Sequence, residues 1–384
     1  MKSNTYFCFQ MKYYIIAGEA SGDLHGANLM KEIKAKDLQA EFRFWGGDLM
    51  SAVGGTLVKH YNELAFMGFV EVAMNLTTIL RNIKYAKKDV TSWNPDVVIL
   101  IDYPGFNLRI APFVKKLGIP VVYYISPQVW AWKSGRVNKI VKSVDKMLVI
   151  LPFEKDFYQK WNYEVEFVGH PLIDAIEQRE EPNRDTFISD WKLDNRPIIA
   201  LLPGSRKQEI QAKLPVMLSI VDDFPEYQFV IAGAPGQEKS FYRPFMKDGV
   251  QMVENKTYQL LQLSQAALVT SGTATLETAL LNVPEVVCYK GSRISYEIGR
   301  RLVKNIKFIS LVNLIMNREV VKELIQHNLN YENLKTELSL LLEGEKRNQM
   351  LSDFNKLRRK LGGVGASEKA AEAVIELLKK QKKP

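Results

Sequence analysis

Short apolar runs, each closed by a turn of small residues and followed by a helix-period segment, recur along this chain. That rhythm restricts the fold more than any other feature. The runs include KYYIIA at 12–17, DVVILI at 96–101, PIIALL at 197–202 and ALVT at 267–270. DVVILI in particular is continuously apolar, as in strands buried on both faces of a parallel sheet. Further strands are expected at 41–45, 120–125, 145–150, 166–168, 228–232 and 285–289. Alternating strands and helices build doubly wound sheets whose ligands lie at the carboxyl ends of the strands. A charged stretch at 174–196 interrupts the series. The expectation is an α/β protein of two Rossmann-like, doubly wound domains facing a cleft, at 11–175 and 176–345. Residues 1–10 read as a disordered extension, and 346–384 as a basic helical segment.

Composition narrows the function. Of 384 residues, 46% are hydrophobic and 25% charged, an ordinary globular balance. No apolar run reaches membrane-spanning length, and the first ten residues lack the apolar core of a signal peptide. Cys8 and Cys288 form no spaced set, and the four histidines show no ligand spacing. Neither a disulfide framework nor a metal site is expected, and a reducing cytoplasm fits. The net charge is +9, and residues 346–384 hold eleven Lys/Arg against four Asp/Glu. Such a tail suits a membrane surface or a phosphorylated substrate, or is a solvated helix face. No nucleic-acid-binding motif accompanies it, so nucleic acid is not an expected partner.

Several turns carry chemistry. Ser271-Gly272-Thr273 ends an apolar run and opens a helix with Leu276, Ala279 and Leu280 on one face. It reads either as an ordinary capped helix or as an anion site, with Glu277 one turn further on to accept a diol. Gly204-Ser205-Arg206 forms a second anion-seeking turn, whose arginine can grip a diphosphate. Residues 18–26 (GEASGDLHG) read as a polar turn before a helix at 27–36; the spacing is not that of a dinucleotide fingerprint. GAPGQEKS at 233–240 lacks P-loop spacing. Asp102 ends the 96–101 strand, where catalytic acids collect, although a turn carboxylate is the plainer reading. The loop SPQVWAW at 126–132 suits a sugar face, a phosphate or a domain interface. Leu76, Ile79, Leu80 and Ile83 line one face of a helix flanked by cations, which fits a membrane-surface helix or a helix packed on a sheet. A basic helix is expected at 294–303, and helices at 317–326 and 332–342.

Seven motifs in order, from GEASGD at 18–23 through IDYPGFN at 101–107, SPQVWAW at 126–132, LPFE at 151–154, VGHP at 168–171 and LPGSR at 202–206 to SGTATLE at 271–277, resemble the lipid-A-disaccharide synthases. The resemblance runs from about residue 11 onward. It implies a GT-B-fold, metal-independent inverting glycosyltransferase that needs no cofactor. Donor and acceptor would be UDP-2,3-diacylglucosamine and 2,3-diacylglucosamine 1-phosphate, joined β-1,6 with release of UDP. It makes Asp102 the general base and Arg206, Ser271, Gly272, Thr273, Glu277 and Asn313 the UDP contacts. Glu19, Ser21, Gly22 and Asp23 fall on the acceptor side. Where members often carry a second acid this chain has Gly105. The acylated substrates imply peripheral contact with the inner face of the cytoplasmic membrane, through the 76–83 helix and the basic segments. The resemblance also implies a final helix crossing back to the first domain, and a homodimer. Other readings are a different GT-B transferase or epimerase acting on UDP-N-acetylglucosamine, and a non-catalytic nucleotide-sugar or lipid-binding protein.

Overall fold

The computed structural model describes residues 10–64, 76–132, 134–291 and 307–381. The expected segment at 294–303, and all of the expected extension except Gln10, lie outside the described residues. Gln10 donates to the Glu41 carboxylate at 2.7 Å.

The chain forms two compact units, residues 1–174 with 361–384, and residues 175–360. The first holds a parallel sheet of seven strands: β1 (Lys12–Ala17), β2 (Glu41–Gly46), β3 (Thr56–His60), β4 (Val97–Ile101), β5 (Val121–Tyr124), β6 (Lys146–Val149) and β7 (Glu166–Phe167), in the order β3-β2-β1-β4-β5-β6-β7. All five residues of β4 are buried. Val98 and Leu100 join the core on one face, and Val97, Ile99 and Ile101 the core on the other. Each such side chain contributes roughly 2 kcal/mol by leaving water.

The second unit holds β8 (Ile198–Leu202), β9 (Gln228–Gly233), β10 (Gln251–Glu254), β11 (Ser264–Thr270), β12 (Glu285–Tyr289) and β13 (Lys322–Ile325), in the order β10-β9-β8-β11-β12-β13. Among the described residues, all strand pairings of both sheets are parallel, as the apolar runs require. In each sheet the winding direction reverses once, between β1 and β4 and between β8 and β11. Crevices for ligands open at the carboxyl ends of the strands at such points.

Four expectations change. First, the helix placed at 27–36 starts seven residues earlier, at Ala20–Lys36. Its glycines permit close packing rather than a turn: a Cβ on Gly22 would lie 3.1 Å from the Ala17 Cβ, and one on Gly26 2.6 Å from the Met50 sulfur. Second, part of the helix expected at 317–326 is strand β13. Asn317 adopts a left-handed conformation (φ 53°) that ends the preceding Leu311–Met316 helix, and the chain then pairs in parallel with β12. Third, the apolar set on the Leu76–Trp93 helix does not form one exposed stripe. Ile83 is buried and Ile79 packs against the same core, beside Ala86 and Val90. Leu80 points outward, 53% exposed, and the side chain of Leu76 lies outside the described residues. Ile83 is therefore a sheet-packing residue, and Ile79 is partly covered by the same core. Fourth, the basic segment from 346 is not one piece. The Glu345–Lys360 helix belongs to the second unit, while the Ala366–Gln381 helix packs on the Ala20–Lys36 helix of the first. Among the described residues, no helix is long and apolar enough to cross a membrane.

Candidate active site

In the first unit Ala17 and Ile101 are register partners, so the chain leaves β1 and β4 at the same height. Gly18-Glu19 and Asp102-Tyr103 thus emerge side by side at the reversal point. Asp102 and Tyr103 both adopt left-handed backbone conformations, with φ of 41° and 48°. For residues bearing a Cβ this costs about 1–2 kcal/mol each. Hydrogen bonds hold the strained turn. The Asp102 N–H donates to the Tyr124 carbonyl at 3.1 Å. The Asp102 carbonyl accepts from Asn107 Nδ2 at 2.8 Å and from the Tyr123 hydroxyl at 2.5 Å. Asn107, fully buried, also reaches the Ile101 carbonyl at 3.2 Å. Pro104 then opens the Pro104–Lys116 helix at a position where its missing N–H costs nothing.

Gly18 is required by this turn. A Cβ there would sit 2.3 Å from the Tyr103 ring. The ring also stacks on Phe106, with centroids 5.6 Å apart, and its hydroxyl donates to the Leu64 carbonyl at 3.3 Å. Burial pushes the Asp102 carboxyl up to about 6; the nearby negative charge of Glu19 adds to the rise, and the Tyr103 N–H opposes it. Asp102 is therefore ionised near neutral pH but more basic than a solvated carboxylate, which suits proton abstraction. A Cβ at Gly105 would meet nothing within 4 Å, so the absence of a second acid there does not reflect crowding.

The other acceptor-side candidates divide. Glu19 and Ser21 are exposed at the start of the Ala20–Lys36 helix. Asp23 is buried, and its carboxylate accepts from the N–H groups of Gly47 (2.7 Å), Leu49 (3.0 Å) and Met50 (3.1 Å), capping the Asp48–Val53 helix. Gly22 serves packing. The 126–132 and 151–154 motifs meet within the first unit. Ser126 Oγ and the Tyr158 hydroxyl lie 2.8 Å apart, and the Trp130 ring meets Phe153 edge-on at 4.9 Å. Glu154 is buried beneath them and accepts from the Leu151 N–H at 3.0 Å; burial pushes its carboxyl up to about 8. The described part of the tryptophan loop is thus held by the Ser126–Tyr158 contact and the packing of Trp130 on Phe153.

In the second unit both expected anion turns lie at the reversal point. Val269 and Leu202 are register partners, and the Thr270 hydroxyl donates to the Pro203 carbonyl at 3.1 Å, tying the two turns together. Gly204 and Gly272 take φ values of 117° and 152° that favour glycine. Gly272 and Thr273 are exposed at the start of the Thr273–Leu280 helix. Ser271 Oγ donates to the Ile309 carbonyl at 3.1 Å, which orients the turn. The Arg206 side chain is 70% exposed and stands 3.8 Å from Glu209, free to reach an anion. The Tyr258 hydroxyl donates to Glu277 Oε1 at 2.9 Å, and the Arg179 guanidinium lies 3.7 Å above the Tyr258 ring. Burial raises the Glu277 carboxyl, while Tyr258 and Arg179 pull it back. Arg179 and Tyr258 carry no sequence signal of their own; they emerge only as neighbours of Glu277.

Asn313 is not presented to a ligand. It is fully buried, and Nδ2 donates to the Val321 carbonyl (2.8 Å) and to Glu323 (2.9 Å). Its Oδ1 accepts from the N–H groups of Val320 (2.7 Å) and Val321 (3.0 Å). Both amide ends are occupied in joining the Leu311–Met316 helix to β13. Glu323 in turn accepts from the Ile309 and Ser310 N–H groups, the segment that receives Ser271. Asn313 therefore supports the turn instead of touching nucleotide.

A family model described as lipid-A-disaccharide synthetase matches residues 13–377. A lipid-A-disaccharide synthase of Syntrophus aciditrophicus is 42% identical, over 95% of this chain and 97% of that protein. Those of Geobacter metallireducens (96% and 97% covered) and Myxococcus xanthus (95% and 97%) are each 39% identical. Among solved structures, the Neisseria meningitidis UDP-GlcNAc 2-epimerase bound to UDP-GlcNAc superposes with a TM-score of 0.64 at 15% identity, covering 95% of this chain and 100% of that one. The calicheamicin glycosyltransferase CalG4 does so with a TM-score of 0.63 at 14% identity, covering 98% and 100%. These structures share the two-domain α/β fold of GT-B enzymes.

Proposed function

The chain belongs to the lipid-A-disaccharide synthase family and is a glycosyltransferase, and on that premise we propose how its two sheets divide the reaction. The turns after β8 and β11 hold the diphosphate of UDP-2,3-diacylglucosamine. Backbone N–H groups at Ser271–Thr273 and the exposed Arg206 oppose its charge, and Glu277, oriented by Tyr258, accepts from the ribose diol. The crevice beside β1 and β4 takes 2,3-diacylglucosamine 1-phosphate. Asp102 accepts the proton of its 6-hydroxyl as that oxygen forms a bond to the donor's anomeric carbon. The bond from that carbon to the diphosphate breaks, and UDP leaves with the electron pair. Attack from the face opposite UDP inverts the centre. Charge growing on UDP is met by the turns and Arg206, usually the larger part of the acceleration. Because both substrates carry acyl chains, the enzyme works peripherally at the inner face of the cytoplasmic membrane.

The observation that carries the assignment of the base is the strained Asp102-Tyr103 turn. It sets a half-buried, basic carboxylate at the reversal point of the first sheet. Mass spectrometry after incubation with acylated donor and acceptor tests the whole reading. A disaccharide phosphate with four acyl chains supports it. Turnover of UDP-N-acetylglucosamine, with none of the acylated donor, overturns it.

A further inference from the structure

A closed chain of contacts begins and ends on the Thr273–Leu280 helix. Glu277, on that helix, accepts from the Tyr258 hydroxyl at 2.9 Å. Tyr258 stands on the Thr257–Gln262 helix, and the Arg179 guanidinium lies 3.7 Å from the centre of its ring. Arg179 follows the Pro171–Glu177 helix. Its N–H donates to the Ile176 carbonyl at 3.1 Å and its Nε to the Ala175 carbonyl at 3.2 Å, which fixes the guanidinium to that helix's last turn. From the same turn Glu177 pairs with Arg358. Arg358 donates to the Leu280 carbonyl at 2.8 Å. That carbonyl ends the helix bearing Glu277 and has no partner within it, and a cation is favoured there.

The chain of contacts constrains one carboxylate. Tyr258 takes one acceptor position of a group that has about four, sets its plane and leaves the rest for a ligand. A loose carboxylate can turn to follow a single hydroxyl; a fixed one is matched to a pair. Arg179 contributes twice. Its guanidinium holds the Tyr258 ring by cation–π attraction, and its charge, after the Tyr258 hydrogen bond, offsets the rise that burial imposes on the Glu277 carboxyl. We propose that Arg179 is a positioning residue for the donor's ribose: acting through Tyr258, it holds Glu277 matched to both hydroxyls and makes the site select a ribonucleoside diphosphate over its 2′-deoxy counterpart. The inference rests on the reading that Glu277 receives the ribose diol, and it adds a residue outside the anion turns on which the choice of nucleotide depends.

The test is calorimetric titration of the full chain with UDP and with 2′-deoxyuridine 5′-diphosphate. The parent should bind UDP roughly 10- to 100-fold more tightly, as for one hydrogen bond to a charged group. Arg179→Gln should weaken UDP binding about three- to fivefold, the share of an exposed cation–π contact, and leave binding of the deoxy ligand unchanged. Tyr258→Phe, which removes only the hydroxyl, should erase about tenfold of the preference. Adding Arg179→Gln to it should cost nothing further, because the two act as one unit. Melting temperatures of all variants should match the parent's. Equal weakening of both ligands by Arg179→Gln marks a merely structural role and overturns the proposal. So does a parent-like preference in either single variant, or additive losses in the double variant. A parent that binds UDP without preferring it would instead defeat the assignment of Glu277 to the ribose, and the role of Arg179 with it.

Discussion

Replacing Asp102 by Asn should abolish activity and stabilise the protein at once. A general base contributes about 100- to 10,000-fold in rate, so in the role proposed for Asp102 turnover should fall by that factor while UDP affinity is unchanged. Stability moves the other way. The folded protein holds the Asp102 carboxyl at about 6 against an ordinary value of 3.8. A group with a raised folded pKa adds stability when protonated; that contribution is complete below about 4 and is lost as pH rises through about 6. The shift of about two units corresponds to at most about 3 kcal/mol of strain in the ionised protein, which Asn avoids. Asn also tolerates the left-handed backbone better than most residues. Thermal melts of parent and variant should coincide near pH 4 and diverge towards pH 7, with the variant higher. Turnover of the parent over the same range should fall as pH drops below 6, to about a tenth by pH 5, since only the ionised form accepts a proton. A fully active Asn variant, or a stability difference independent of pH, would refute this account.

Glu19→Gln removes the charge that helps hold Asp102 protonated, so the acid limb of the pH–rate profile should move to lower pH with little loss of maximal rate. An unmoved limb would separate Glu19 from the base. Gly18→Ala drives a methyl into the Tyr103 ring and so displaces the turn. Because a shift of about 1 Å at a catalytic group can cost 100-fold, kcat should fall by roughly that factor with UDP binding intact, as calorimetry would show. Asn313→Ala leaves Glu323, the buried Val321 N–H and the part-buried Val320 N–H short of partners. Chemical denaturation should show a loss of about 2–4 kcal/mol, with weaker UDP binding following from the loosened Ser271 turn.

The central strands were legible because burial on both faces demands uninterrupted apolar sequence, as in β4 and β8. Of the edge strands only β7, expected at 166–168, was. The exposed ends of β3, the short β10 and the KELI of β13 each present only part of their length to a core, and their weak alternation resembles a helix or a loop. Glycine misled at 18–26 because the same residue serves a tight turn and close helix packing; only the neighbours Ala17 and Met50 distinguish them. The motif turns fall at the reversal points of both sheets, but the motifs do not separate residues open to solvent there from residues held by backbone. Asp23 and Asn313 belong to the second kind. A polar side chain near a site has the same sequence signature whichever partner takes its hydrogen bonds.

The return of the chain to the first sheet has a consequence for biogenesis. The His170 N–H donates to the Leu361 carbonyl at 3.1 Å, and Asp174 Oδ1 accepts from the Gly365 N–H at 2.6 Å. Ala370, Ala371, Val374 and Leu378 complete one face of the first core. Residues 175–360 are thus an insertion within another folding unit. On the ribosome the interior unit, though encoded later, can close on itself first, while the unit that begins the chain waits with one face uncovered until the residues from Leu361 onward emerge. A chain halted near 360 would then carry a complete second sheet and a first sheet still lacking part of its cover. Its liability would be aggregation through that bare face.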